Sequence, residues 1–385
     1  MGSCLLSLNA PAPFRYLKVC GTECTILVVM KTYRIALIPG DGIGKEVIPA
    51  GVRVLEAVAR AGGTFALAFE PFDWGCEYYL RNGRMMPDDG LERLRPFDAI
   101  YLGAIGHPTV PDHISLRELL LKIRFQFDLY VNLRPVEILP GLKSPLAGKG
   151  PAEINLLFIR ENTEGEYSGL GGGFKRGTPH EVAIQTSIFT RKGVERILRF
   201  AFEQARRRPR QRLASATKSN ALQYTMVLWD EVLREVAREY PDVTVANYHV
   251  DALAARLITH PETLDVVVGS NLFADILTDI GGALQGSLGL AVSANLNPTA
   301  RHGPPMFEPV HGSAPDIEGR GIANPIAAIW SGALMLEHLG EPSAAARVMR
   351  ALKAVTGEGR VRTPDLGGVS TTDEFAQAVI AKVGS

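Results

Sequence analysis

Short apolar runs alternate with amphipathic stretches along most of this chain. That alternation predicts an α/β protein with a largely parallel sheet. Residues 33–39 (YRIALIP) form a first apolar run, closed by the glycine turn Gly40-Asp41-Gly42-Ile43-Gly44. Residues 45–60 then carry Val47, Ile48, Val52, Leu55 and Val58 at helical spacing, one face of an amphipathic helix. Further buried strands are expected at 98–103 (DAIYLG), 154–159 (INLLFI) and 264–269 (LDVVVG). Residues 139–151, rich in Pro, Gly and Lys, and the Gly-rich residues 169–178 read as irregular or loop. Residues 181–190 alternate like an exposed strand or arm, and no internal repeat is present.

The first 29 residues stand outside this pattern. They lack the charged n-region and cleavage site of a signal peptide, and Leu6 occupies the position where a myristoylation motif needs Ser or Thr. They are expected to be a disordered extension, dispensable for folding.

Composition narrows the class. A chain of 385 residues, 46% apolar and 21% charged, suits two domains or one large α/β domain. A formal net charge of zero argues against nucleic acid or an anionic membrane as the main partner, since both call for a positive surplus. Four cysteines (Cys4, Cys20, Cys24, Cys76) without a CxxC pair fit a reducing, cytoplasmic setting better than a disulfide framework.

Three stretches carry candidate chemistry. In NLFADILTD, following an apolar strand, Asp275 and Asp279 are four residues apart and project from one helix face. Two such carboxylates can bind Mg²⁺ or Mn²⁺, though they can equally be solvated helix acids; Asp251 is a further candidate ligand. Arg124, Arg134 and Arg160 lie in the apolar contexts LLLKIR, VNLRP and LLFIRENTEGEY. Buried arginine needs a partner, and its planar fork suits carboxylates; the alternative is structural ion pairing. In HGSAPDI, small residues allow close backbone approach, and Asp316 suits a ribose hydroxyl while repelling a 2′-phosphate. The 40–44 turn has GxGxG rather than GxGxxG spacing, so it reads as a tight strand-to-helix turn near a nucleotide rather than a phosphate cradle.

Taken together, LIPGDGIGKEV, LLLKIR, NLRP, IRENTEGEY, TKSN, NLFADILTDIGGALQGSLGL and FEPVHGSAPDIEGRGIANP resemble the isocitrate/isopropylmalate dehydrogenase family of β-decarboxylating dehydrogenases, from about Tyr33 to the C-terminus. The segments DWGCEYYLRNGRMMPDDGLE, LLLKIR and RENTEGEYSGLGG are most similar to its tartrate/D-malate branch. The resemblance implies an isopropylmalate dehydrogenase-like α/β fold: two open α/β domains with a cleft between them, the first discontinuous. That domain would comprise 30–129 plus 286–385 and bind the cofactor. The second, 130–285, would carry substrate and metal and dimerise through the 181–190 arm.

It further implies roles for individual residues. Arg124, Arg134, Arg160 and Leu120 would contact substrate, and Tyr167 would be the general acid. His311, Gly312, Ser313, Ala314, Asp316, Ile317 and Asn324 would hold NAD. Asp275 and Asp279 would bind the metal, completed by Asp251 of the second subunit of a homodimer, with Lys218 there as general base. The cofactors implied are NAD and Mg²⁺ or Mn²⁺, with K⁺ as a further cation. Arg117 is a departure, since relatives often carry Glu or Trp near the nicotinamide there. Lys122, if it reached the pocket, would disfavour an isopropyl substituent and favour D-malate or tartrate over isopropylmalate, the alternative substrate. An alternative of another class is a nucleotide- or metal-binding protein without catalysis.

Overall fold

The computed structural model describes residues 30–384 and the backbone of two short strands, β1 (Phe14–Leu17) and β2 (Ile26–Val29), which pair antiparallel. The rest of 1–29, on which the expectation of a disordered extension depends, lies outside the described residues, as do Cys4, Cys20 and Cys24.

The remaining strands are β3 (Lys31–Gly40), β4 (Phe65–Pro71), β5 (Ala99–Ala104), β6 (Val131–Glu137), β7 (Asn155–Glu161), β8 (Gly165–Phe174), β9 (Val182–Ile188), β10 (Arg212–Thr217), β11 (Thr244–His249), β12 (Val266–Gly269), β13 (Val292–Leu296) and β14 (Met306–Pro309). Ten of them make one sheet, in the order β11-β10-β12-β7-β6-β13-β14-β5-β3-β4. Both wings are parallel, as helix–strand alternation requires. The three pairs at the centre, β7–β6, β6–β13 and β13–β14, are antiparallel. The expected strands are all present, and the expected α/β architecture with it.

On the β3–β5 wing, alternate residues face opposite sides, so each strand feeds two cores. Tyr33, Ile35, Tyr101 and Phe307 pack under the helices Gly44–Gly62, Ile326–His338, Pro342–Glu358 and Thr372–Val383. Ala36, Ile38, Ile100, Leu102 and Met306 join Trp74, Met85, Phe97, Leu119 and Phe127 in another cluster. The other wing has its own core, from Tyr130 through Phe158, Phe202 and Trp229 to Leu284. In the helix Gly44–Gly62, Val47, Ile48, Leu55 and Val58 are buried as the spacing predicts; Val52 is only partly covered and Val54 sits in the core instead.

Residues 169–178 are not all loop. Gly165–Phe174 is a strand, paired antiparallel with Val182–Ile188 in a two-stranded arm. The glycines serve close approach: a Cβ on Gly171 would lie 2.2 Å from the Ile184 carbonyl oxygen. The 40–44 turn joins β3 to its helix with Gly40 and Gly42 at φ +71° and +53°. It packs on the 311–317 segment, where Ile43 N–H donates to the Ser313 carbonyl at 2.8 Å.

Candidate active site

Where the two wings meet, a cavity of about 290 Å³ opens. Its lining comes from the ends of β5 and β7, the middle of β6, the start of β8, the 116–124 helical segment, the helix Asn271–Leu284, and the end of β14 with the residues that follow it. Arg124, Arg134, Arg160, Leu120, Tyr167, Asp275, Asp279, His311 and Gly312, distant in sequence, all line it.

Each arginine is buried and held by a distinct set of partners. Arg124 Nη2 donates to Glu308 Oε1 at 2.5 Å, and Glu308 also accepts from Asn295 Nδ2 (2.8 Å) and Ser293 Oγ (3.2 Å). Arg134 donates to Asn132 Oδ1 (2.6 Å) and Thr278 Oγ1 (2.5 Å). Arg160 donates through Nε and Nη2 to Asn271 Oδ1, at 3.0 and 2.7 Å. Asp275 is the shared carboxylate: Arg160 donates to it, Arg134 Nη2 lies 3.5 Å away, and Tyr167 Oη donates to its Oδ2 at 2.7 Å.

Titration follows from this crowding. Burial lowers the pKa of Arg134 and of Arg160, a cost that an arriving anion relieves. Burial pushes Asp275 up, but Arg160 and Arg134 outweigh it and leave the carboxyl below its ordinary value. Among the described residues Asp279 has no hydrogen-bond or ion-pair partner; burial and the charge of Asp275 raise its pKa. Burial, then Asp275, raises Tyr167, so its hydroxyl keeps its proton at neutral pH. The i, i+4 spacing places Asp275 and Asp279 on the cavity side of one helix, while Ile276, on another side, is exposed.

The segment carrying Arg124 opens with one turn of π-helix, Leu116–Leu120, a distortion frequent at functional sites. Leu116, Leu120 and Leu121 give the cavity an apolar wall. Lys122 does not line it, so the condition under which it would select against an isopropyl substituent is not met. In a helix, residue 122 cannot share a face with both 120 and 124, whereas 120 and 124 share one. Arg117 donates to the Tyr167 carbonyl oxygen at 3.4 Å.

The remaining expected residues fall into two groups. His311 and Gly312 line the cavity, and Ser313, Ala314, Asp316 and Ile317 continue from them, with Ser313 buried and Asp316 exposed. His311 Nε2 is buried without a partner, and burial lowers the imidazole pKa, keeping the ring neutral. A Cβ on Gly312 would meet nothing, and Ala314 holds a positive φ of 42°. Asn324 donates to Asp365 at 2.8 Å. Lys218 and Asp251 are not at this cavity. They follow the paired strands β10 and β11, and they bond each other at 2.7 Å with Asp251 exposed. Among the described residues no group of three His, Cys, Asp or Glu gathers as a metal cage.

The sequence reading missed Glu308, Asn271, Thr278 and Asn132. All four stood inside the motifs quoted, but nothing in residue type or spacing distinguished them as partners of the arginines.

The family model described as isocitrate/isopropylmalate dehydrogenase matches residues 34–379. A D-malate dehydrogenase [decarboxylating] of Escherichia coli (strain K12) is 56% identical over 358 residues, covering 91% of this chain and 98% of the relative. A tartrate dehydrogenase/decarboxylase of Pseudomonas putida is 52% identical over 356 residues, covering 90% and 97%. The crystal structure of isocitrate dehydrogenase from Methylococcus capsulatus superposes with a TM-score of 0.83 at 37% identity, covering 92% of this chain and all of that one.

Proposed function

The chain belongs to the isocitrate/isopropylmalate dehydrogenase family, and we propose that it is an NAD- and divalent-metal-dependent enzyme that oxidises and decarboxylates a small 2-hydroxy dicarboxylic acid, D-malate or a tartrate. The names carried by relatives 50–56% identical to it support the substrate. The observation that carries the reading is the convergence of three buried arginines, two helix carboxylates and a protonated tyrosine on one cavity beside the 311–317 segment. This combination suits a dianion held next to a metal and a nucleotide, whereas a binding protein without catalysis has no use for the tyrosine.

Asp275 and Asp279 fit a hard cation: among the described residues Asp279 has no hydrogen-bond or ion-pair partner, and burial, then the neighbouring charge of Asp275, raises its pKa despite Arg134 and Arg160. Asp251 of a second subunit would complete the ligands, since one chain supplies only two at the cavity. When bound, the metal polarises the substrate hydroxyl and stabilises the negative charge that develops on decarboxylation. His311, Gly312, Ser313, Ala314, Asp316, Ile317 and Asn324 fit a nucleotide through the orphaned His311 Nε2 and the open space at Gly312. NAD⁺, if held there, would supply the hydride acceptor.

The chain's own groups have clear tasks. Arg124, Arg134 and Arg160 orient the carboxylates. Tyr167 keeps a proton on Oη, available to a carbanionic carbon, and Lys218, ion-paired with Asp251, would take one from the substrate hydroxyl once it has released its own to solvent. Lys218 and Asp251 lie away from the cavity of their own chain, which supports active sites shared across a homodimer. The arm supplies a surface for that dimer, with Leu170, Phe174, Val182 and Ile184 all exposed. Residues 30–129 with 286–385, and 130–285, are the proposed domains; the apolar cores divide close to those boundaries. The described residues include no helix long and apolar enough to cross a membrane, and we place the enzyme in the cytoplasm on its cysteine usage. A second reading, 3-isopropylmalate as substrate, draws on the Leu116, Leu120 and Leu121 wall.

A substrate panel decides between them: D-malate, the tartrates, isopropylmalate and isocitrate, each with NAD⁺ or NADP⁺ and Mn²⁺. D-malate or a tartrate should give the highest kcat/KM, with NAD⁺ preferred at least about tenfold because Asp316 repels a 2′-phosphate. Isopropylmalate well ahead of both would install the second reading, and no turnover with any would end the enzyme reading.

A further inference from the structure

The formal charges of the cavity cancel. Three guanidinium groups face three carboxylates, those of Glu308, Asp275 and Asp279, and the other lining residues carry no net charge. The Lys218–Asp251 pair is also neutral. A divalent cation would therefore leave an excess of two positive charges, which matches a dicarboxylate dianion.

That match depends on how the arginines are anchored. Arg124 is held by a carboxylate, Glu308. Arg160 is held by the neutral Asn271, whose Oδ1 accepts from two of its nitrogens while Nδ2 donates to the Glu164 carbonyl at 3.1 Å. Arg134 is held by the neutral Asn132 and Thr278. All four anchors are buried. Asp275 also ion-pairs with Arg160 and lies 3.5 Å from Arg134 Nη2; on the proposed metal reading its charge is counted with that of Asp279 toward the cation. Buried arginines ordinarily meet a carboxylate, and an aspartate at 271 would offer Arg160 the same acceptor oxygen.

We propose that Asn271 is a positioning residue that also sets the charge of the site: it fixes Arg160 through a neutral acceptor and so leaves the guanidinium charge for a dianionic substrate, as Asn132 and Thr278 do for Arg134. The inference rests on the dicarboxylate reading, and the two can be tested separately.

The experiment compares Asn271→Asp with Asn271→Ala in the full-length, Mn²⁺-loaded protein without NAD⁺, by calorimetric binding of D-malate and of sulfate. Asn271→Asp keeps the Oδ1 acceptor, loses the Nδ2 donation to the Glu164 carbonyl and adds a charge; Asn271→Ala loses all three hydrogen bonds and adds no charge. Charge-setting makes the Asp variant the weaker binder of both dianions, by at least about tenfold relative to wild type. In turnover its KM for the dicarboxylate rises, while the KM for NAD⁺ stays within about twofold. A merely structural anchor gives the opposite order, and an Ala variant as weak as or weaker than Asp overturns the proposal. Thr278→Asp against Thr278→Val repeats the comparison at Arg134 and decides the matter if Asn271→Asp does not fold. Wild type that binds sulfate but none of D-malate, tartrate or isopropylmalate, with sulfate lost in the Asp variant, would sink the dicarboxylate reading and leave this inference standing.

Discussion

Replacing Glu308 with Ala strands Arg124 in the protein interior. Both side chains are nearly sealed, at 5% and 6% exposure, with 2.5 Å between donor and acceptor. With charge centres about 4 Å apart and an effective dielectric near 20, the lost attraction is about 4 kcal/mol. Loss of one partner of a buried pair typically costs about 3–5 kcal/mol. Ser293 Oγ loses its acceptor as well, adding about 1–3 kcal/mol, while Asn295 Nδ2 keeps the Met306 carbonyl. Water entering from the adjoining cavity offsets part of this, so about 4 kcal/mol is the expected loss. Arg124→Met leaves the opposite charge bare and should cost about 3 kcal/mol. The double variant, Arg124→Met with Glu308→Leu, leaves neither charge and should recover at least about 2 kcal/mol against the sum of the singles. Guanidinium denaturation followed by tryptophan fluorescence reads all four proteins. Strict additivity would show that the pair is not coupled and that the argument for its burial is wrong.

Asp279→Asn removes one proposed charged ligand and should raise the Mn²⁺ concentration for half-activation at least about tenfold; unchanged activity at limiting Mn²⁺ would rule Asp279 out as a ligand. Tyr167→Phe should slow complete oxidative decarboxylation about 10²-fold and hydride transfer much less, and a variant normal in both would make Tyr167 a packing residue. Burial pushes Glu161 up to about 7 from an ordinary 4.5, despite N–H donations from Thr163 and Glu164. A carboxyl with a raised folded pKa binds its proton more tightly when folded, so its contribution is whole below about pH 4.5 and is lost as pH rises through about 7. The thermal midpoint of Glu161→Gln should therefore gain on wild type across that window, by up to about 3 kcal/mol in stability; parallel pH profiles would refute the shift.

Much of the site was legible because its chemistry is local in sequence. Asp275 and Asp279 announce themselves by a spacing of four, and Arg124, Arg134 and Arg160 by lying in apolar runs where a bare charge cannot remain. What could not be read is what meets what. Glu308 lies 184 residues from Arg124, and Asn271 lies 111 from Arg160; such pairings arise only when β7, β12 and β14 take their places in the sheet. Lys122 is a different case, since the helical period already turned it away from the face of Leu120 and Arg124. The strand at Gly165–Phe174 was hidden by its glycines, which usually signal turns and here permit two backbones to touch. The π-turn at Leu116–Leu120 has no compositional mark at all.

The hydrogen-bonded ladder does not stop where the cores divide. β6 pairs with β7 on one side and β13 on the other, so backbone bonds run without a break from β11 to β4. A fragment spanning 130–285, cut free for study, would keep β6 but lose β13. It would present a raw strand edge, with Asn132 stripped of Ser293 and Asn295. Such an edge invites pairing with any passing copy. This fragment should aggregate rather than fold quietly, and either half of the protein acts as the other's edge protection.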